Sequence, residues 1–402
     1  MYLFMTETDI FISGGGVAGL TAAAAFGAAG FNVIIADPMP PITDQATEGA
    51  DLRTTAFLQP ARDFLDAAGL WQRLAPFATP LQVMRIVDAG GAEPVARVTR
   101  DFNASDISDL PFGWNLPNWL LRREMVARLA DLPNVDFRPG VGFKSLMTRT
   151  AQARVTLTDG ARITAKLVIG ADGRASPVRN AIGIGVKTTR YGQKAVTFAV
   201  THDAPHDNIS TEVHRTGGPF TLVPLPDHDG KPCSAVVWMA DGAEALRLAN
   251  LPEDEFNAAA TLRSANTYGP LTLATRRMVW PIISQIAERM SGERTALVAE
   301  AAHAMPPIGA QGLNMSLADL ACLLELAQAK PDALGDAEML ATYARRRHPD
   351  IKLRVSGVDI LNRASQAENP LLRDLRAKGV EALHGLAPLR KTLMKLGLGA
   401  KG

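Results

Sequence analysis

The sequence predicts an α/β fold: a Rossmann-like βαβ domain, an antiparallel sheet inserted into it, and helices at the C-terminal end. Three observations predict it. "DIFISGGGVAGL", residues 9–20, passes from an apolar strand through glycines into a helix. Two later strands, Leu167–Gly170 and Ala296–Ala299, also run into an acidic residue and a loop. Between those two lie four stretches of alternating, β-branched or aromatic residues broken by Gly, Pro and Asp, which read as antiparallel strands.

In the first unit Gly14, Gly16 and Gly19 supply the G-x-G-x-x-G spacing, with Val17 and Ala18 inside it. The first glycine lets the chain turn, the second admits a pyrophosphate close to backbone, and the third lets helix pack on strand. A helix is expected from Val17 to Ala29, ended by Gly30 in a left-handed position. Phe31–Ala36 is the next strand, and Asp37 at its end can accept from ribose hydroxyls. Motif, flanking elements and acid agree on dinucleotide binding. Residues 10–36 are uncharged and long enough to span a bilayer, yet they hold six glycines and change period midway. A βαβ unit explains them better, and no basic front end marks a secretory signal.

The second unit, "ARVTLTDGARITAKLVIGADGRASPVR", begins as a hairpin, Arg154–Thr158 and Arg162–Lys166, joined at Asp159-Gly160. It continues through Leu167–Gly170 to Asp172-Gly173. The third, "LVAEAAHAMPPIGAQGLNMSLAD", is a strand closed by Glu300, a Pro-Gly loop, and a helix beginning near Asn314. Asn314 and Ser316 are candidate caps. A lone histidine beside an apolar helix, His303, is more often structural than catalytic.

At 402 residues the chain can bury a large core and is expected to form two joined domains. A net charge of +1, with charged residues at 21 %, creates no field that argues for nucleic acid. Cys233 and Cys322 match no metal spacing and read as free thiols in a reducing, cytoplasmic compartment. No metal site is expected.

Three strand ends, each carrying an acid and far apart in sequence, resemble the aromatic hydroxylase family of flavoproteins with the para-hydroxybenzoate hydroxylase fold. The glycine fingerprint, Asp172-Gly173 and the Glu300 segment match that family in order and approximate spacing. The resemblance implies a discontinuous FAD-binding domain (1–75, 101–185, 275–360), an antiparallel-sheet substrate domain (76–100, 186–274) and a C-terminal helical segment (361–402). Within it, "DLRTTAF" makes Arg53 the family arginine at the flavin, and "LLRREMVARL" makes Arg122 a contact to FAD. Asp172 and Glu300 would hold the middle of the cofactor. Here Ala299-Glu300 stands where the family has Gly-Asp. Gly309 and Gly312 free space for a flat ring, and Leu313 and Asn314 follow at its edge. The start of that helix directs unpaired N–H groups at the reduced flavin.

The resemblance further implies that NADH or NADPH reduces the flavin transiently and that O₂ adds to form a C4a-hydroperoxide, which hydroxylates an aromatic ring. Pro307 would face the phenol oxygen through its carbonyl, and no base is identified. Phe220, Leu222 and Trp238 are candidate substrate contacts, with ordinary core packing as the plainer reading of each. Para-hydroxybenzoate enzymes bind the substrate carboxylate with a Ser and an Arg. At the position aligned with them this chain offers Pro224-Leu225-Pro226, which favours a neutral, hydrophobic aromatic. The third motif resembles the ubiquinone-biosynthesis branch, whose substrates are prenylated phenols, at Pro307, Ile308, Gly309, Gln311, Gly312, Asn314 and Asp319. It departs at Pro306, Ala310 and Ser316, where that branch favours His, Gly and Gly. A hydroxylase of small aromatic acids, and a non-catalytic flavin subunit of a larger assembly, are the alternative readings.

Residues 370–402 hold seven Lys/Arg against two Asp/Glu, with leucines on one face from Leu383 to Leu396. Such a segment either rests on a membrane or a partner, or packs on its own domain. Self-association is left open. "YARRRH", residues 343–348, reads as a solvated helix face.

Overall fold

The computed structural model describes residues 5–90, 95–215 and 217–366, with Lys391 and Met394. The basic leucine-bearing segment expected near the C-terminus lies almost wholly outside the described residues.

The strand Met5–Ser13 lies at the centre of a largely parallel sheet, between Val33–Asp37 and Arg162–Gly170. Val135–Pro139 extends the sheet on one side, and Thr295–Leu297 lies parallel beyond Arg162–Gly170 on the other. Because these strands are parallel, Ser13, Asp37, Gly170 and Leu297 all end at the same edge. This is how three motifs distant in sequence reach one place. Ile10, Phe11, Ile12 and Ile35 are fully buried, as strands covered on both faces require. The helix Val17–Ala28 is buried from Ala18 to Gly27, which accounts for its uncharged sequence. Gly30 follows it at φ +89°, as its predicted role demands.

The predicted hairpin is Ala153–Leu157 against Arg162–Gly170, turning at Gly160 with φ +91°. Its second strand continues without a break into the predicted third strand of that unit.

The second sheet is mostly antiparallel. Val186–Thr201, Lys231–Asp241, Gly218–His228 and Ile209–Arg215 pair in that order, and Val83–Asp88 and Val98–Asn103 extend the edge. Met278–Ala287 pairs with Val186–Thr201. That strand therefore belongs to the sheet, about ten residues beyond the boundary expected at 275. The helices Gly242–Ala249 and Glu253–Arg263 pack on one face of this sheet, and the other faces the parallel-sheet domain across a cavity.

The long helix Ala337–Ser365 crosses the boundary expected at 361. It also corrects the reading of residues 343–348. Tyr343 is fully buried and donates to the Leu297 carbonyl at 2.8 Å, and Arg347 is also buried. Among the described residues no helix is long and apolar enough to cross a membrane.

Candidate active site

A cavity of about 770 Å³ opens at the carboxyl edge of the parallel sheet and continues to the antiparallel sheet. The sequence-predicted residues Gly14, Gly16, Val17, Ala18, Asp37, Arg53, Arg122, Asp172, Glu300, Pro307, Gly309, Gly312 and Leu313 all line it. Gly19 stands behind the wall.

The three fingerprint glycines are needed for different reasons. Gly14 sits at φ +112°, and a Cβ there would lie 2.4 Å from the Ala171 carbonyl oxygen. A Cβ on Gly19 would lie 1.9 Å from the Gly14 oxygen, so helix and turn touch through bare backbone. At Gly16 a Cβ would meet nothing within 4 Å. That glycine borders the open cavity. Asp37 holds the turn from the next strand: Oδ2 accepts from the Gly15 N–H at 2.5 Å and Oδ1 from the Met39 N–H at 2.8 Å.

Arg53 is held by Asp51 through two bonds, Nε to Oδ1 at 2.8 Å and Nη2 to Oδ2 at 2.7 Å, and its guanidinium lies 4.0 Å over the Trp280 ring. Asn118 donates to the same Oδ2 at 3.0 Å, and Arg122 approaches it to 3.8 Å. Burial pushes the Asp51 carboxyl up, but the Arg53 hydrogen bonds and charge outweigh it and hold the group below its ordinary range. Sequence reasoning missed Asp51 and Asn118. The only available signal was an acid two residues before a predicted arginine.

Asp172 is half-buried, and desolvation raises its carboxyl despite donors from Ser176, Val178 and Ser13. Arg179 ties this turn to the third motif, donating to the Ala301 carbonyl at 2.8 Å and the Arg174 carbonyl at 2.8 Å. Glu300 lies in the single turn of 3₁₀ helix, Ala299–Ala301, that follows its strand, and pairs with Arg174 at 3.0 Å.

The Pro-Gly loop departs from the prediction. Its helix begins at Gln311, after Ala310 at φ +56°, so Asn314 and Ser316 lie inside the first turns and cap nothing. Asn314 instead accepts from the Leu58 N–H at 2.8 Å and donates to the Ala56 carbonyl at 2.7 Å. It pins the helix to the strand Thr54–Leu58. Ser316 back-bonds to the Gly312 carbonyl. His303 is buried at the wall, with Nε2 2.6 Å from Asp319 Oδ2.

The three substrate candidates are corrected. Phe220, Leu222 and Trp238 pack with Phe256 and Val213 on the helix-covered face of the sheet. Strand side chains alternate, so their neighbours Thr221, Val223 and Val237 line the cavity instead. The segment Pro224–Pro226 does not line it either. Leu81, Met84, Ala235 and Ile282 make much of the sheet half of the cavity apolar, Thr197, Ser210, Glu212 and Thr221 add polar groups, and among the described residues the strands of this sheet bring no Lys or Arg to it.

An elongated cavity with a bare glycine turn, an acid at the second strand end and a helix start at its far end fits a flavin dinucleotide. That geometry defines an FAD-binding protein of the two-sheet kind. Residues 7–356 match the family described as FAD binding domain, and the chain belongs to it.

The ubiquinone hydroxylase UbiL of Rhodospirillum rubrum is 32 % identical over 394 residues, covering 97 % of this chain and 89 % of that protein. The 3-demethoxyubiquinol 3-hydroxylase of Escherichia coli is 26 % identical, covering 98 % of each chain. Among solved structures, p-nitrophenol 4-monooxygenase PnpA of Pseudomonas putida is similar with a TM-score of 0.79 at 19 % identity, over 99 % of this chain and 100 % of that one. PqsL of P. aeruginosa in complex with 2-aminobenzoylacetate has a TM-score of 0.77 at 22 % identity, over 94 % and 100 %. These structures share its fold. The chain is an FAD-dependent aromatic-ring monooxygenase.

Proposed function

We propose that this monooxygenase hydroxylates a neutral, prenylated phenol on the route to ubiquinone, with NADH or NADPH as transient reductant and O₂ as co-substrate. One observation carries the substrate class: among the described residues the strands Val186–Thr201, Ile209–Arg215, Gly218–His228 and Lys231–Asp241 bring no Lys or Arg to the cavity, so a benzoate against them would be buried without an ionic partner. The full-length similarity to ubiquinone hydroxylases supports the same class.

In this reading Gly14, Gly16, Val17, Ala18 and Gly19 hold the pyrophosphate on the helix start, and Asp37 holds the adenosine ribose. Arg53, Arg122, Asp172 and Glu300 hold the middle of FAD, while Gly309, Gly312, Leu313 and Asn314 shape its ring edge. The N–H groups opening the helix at Gln311 face the negative charge of the reduced ring. The Pro307 carbonyl orients the substrate hydroxyl. FAD supplies the activation of oxygen, and the protein binds, orients and excludes water. A hydrophobic substrate suits a protein working at the cytoplasmic membrane surface, with the basic C-terminal segment as its contact.

The test is turnover. Purified yellow protein should oxidise NAD(P)H faster with a prenylated phenol and yield a product one oxygen heavier by mass spectrometry. Stimulation by hydroxybenzoates with none by prenylphenols would reverse the assignment to the small-acid reading. Flavin binding without oxygen transfer to any phenol would favour the non-catalytic one.

A further inference from the structure

Ser210, Glu212, Thr221 and Val223 stand on the cavity face of the antiparallel sheet. Glu212 pairs across the strands with Thr221 and, on its other side, with Ile86. Among the described lining residues it is the one carboxylate on this sheet, and it is buried, 7 % exposed. Its Oε1 lies 2.8 Å from His214 Nε2. A second polar group on the wall lacks a partner. Asn115 is fully buried and spends Nδ2 on the Pro224 carbonyl at 2.9 Å, which leaves Oδ1 without a partner.

A buried carboxylate with one neighbour, His214, and a buried amide oxygen with none give a largely apolar chamber whose polar demand is for donors. We infer that Glu212, backed by His214, together with Asn115 selects the substrate: the pair accepts from hydroxyl groups on a neutral ring and rejects a ring that carries a carboxylate. This rests on the proposed hydroxylase reading and deepens it. The apolar lining explains why a benzoate finds no cation. Glu212 adds a charge of the same sign, whose repulsion is strong where water is excluded. Glu212 is in this sense a specificity residue, since discrimination needs a repulsive element as well as an attractive one.

The experiment titrates the FAD-loaded enzyme with two ligands of one shape, 4-hydroxy-3-prenylbenzamide and 4-hydroxy-3-prenylbenzoate, following the flavin spectrum. The amide should bind the wild type at least about tenfold more tightly than the acid, a separation of the size that one close like-charge pair produces. Glu212→Gln keeps shape and acceptor but removes charge, so it should bring the two Kd values to within about threefold, chiefly by tightening the acid. Equal affinities in the wild type, an unchanged gap in the variant, or no binding of either ligand by yellow wild-type enzyme would each overturn the inference. Should Glu212→Gln fail to retain FAD, Glu212→Ala takes its place, and it should narrow the gap in the same way. Wild-type protein that FAD cannot turn yellow would instead sink the hydroxylase reading itself.

Discussion

His303 Nε2 lies 2.6 Å from Asp319 Oδ2, with both side chains buried beneath the Pro-Gly loop. The other Asp319 oxygen accepts from Arg347 Nε at 2.8 Å. From Arg347 the chain of bonds runs to Asp350, Arg354 and Gln311, and Gln311 donates to the Gly309 carbonyl at 3.0 Å. The loop is therefore braced from both ends by one network that spans three elements.

Removing the centre of that network should be costly. Asp319→Ala leaves Arg347 and His303 buried without their shared acceptor, and a broken buried pair typically costs about 3–5 kcal/mol. Denaturant unfolding of the FAD-loaded protein should show a loss of that order. A loss below about 1 kcal/mol, the range of a solvated surface pair, would mean that the network is not intact in solution.

The fingerprint glycines should separate folding from binding. Gly16→Val places its side chain in open space, so the variant should fold with near-normal stability yet purify colourless and fail to take up added FAD. Gly14→Val forces a β-branched residue to positive φ and into the Ala171 carbonyl, and should lower stability as well as flavin content. Circular dichroism melting beside the absorbance spectrum checks both. Tight flavin retention in Gly16→Val would move the pyrophosphate away from this turn.

Two departures from the family pattern coincide with strained backbone. Ala299 at φ +53° and Ala310 at φ +56° occupy the left-handed region without being glycine. An L-residue there costs roughly 1–2 kcal/mol, and glycine gives back part of that in chain entropy, about 0.5–1 kcal/mol. Ala299→Gly and Ala310→Gly should each stabilise the protein by about 0.5–1 kcal/mol, read as a higher denaturant midpoint at unchanged slope. Destabilisation by either glycine would contradict the left-handed geometry at that residue.

These cases show what the sequence could and could not disclose. The glycine turn, Asp37, Asp172 and Glu300 were legible because each sits at the end of a strand whose apolar run and following loop are local signals. Parallel pairing then brings the ends together. The substrate wall was not legible to the same degree. Phe220, Leu222 and Trp238 read as candidates for the wall, but an alternating strand between two covered faces does not say which face holds the cavity, and the smaller Thr221 and Val237 have it. Glu212 reads locally as a solvent-facing strand residue. Arg347 was hidden among exposed arginines because only tertiary packing selects one of three for burial. Asn314 reads locally as a cap, since its partners, Ala56 and Leu58, lie some 250 residues away in sequence.

The Asp51–Arg53 pair predicts a pH signature. The folded protein holds the Asp51 carboxyl below its ordinary value of 3.8, so the unfolded chain binds that proton more readily. The stabilisation is therefore fully present above that value and is lost as pH falls through the folded-state pKa. Asp51→Asn removes the titration while leaving Arg53 and Asn118 a neutral acceptor. The stability difference between wild type and variant should be constant near neutrality and shrink progressively on the acid side of pH 3.8. Melting temperatures measured across that range check it. A difference that grows with acidification would require the carboxyl to be raised in the folded state, the opposite of what two guanidinium contacts impose.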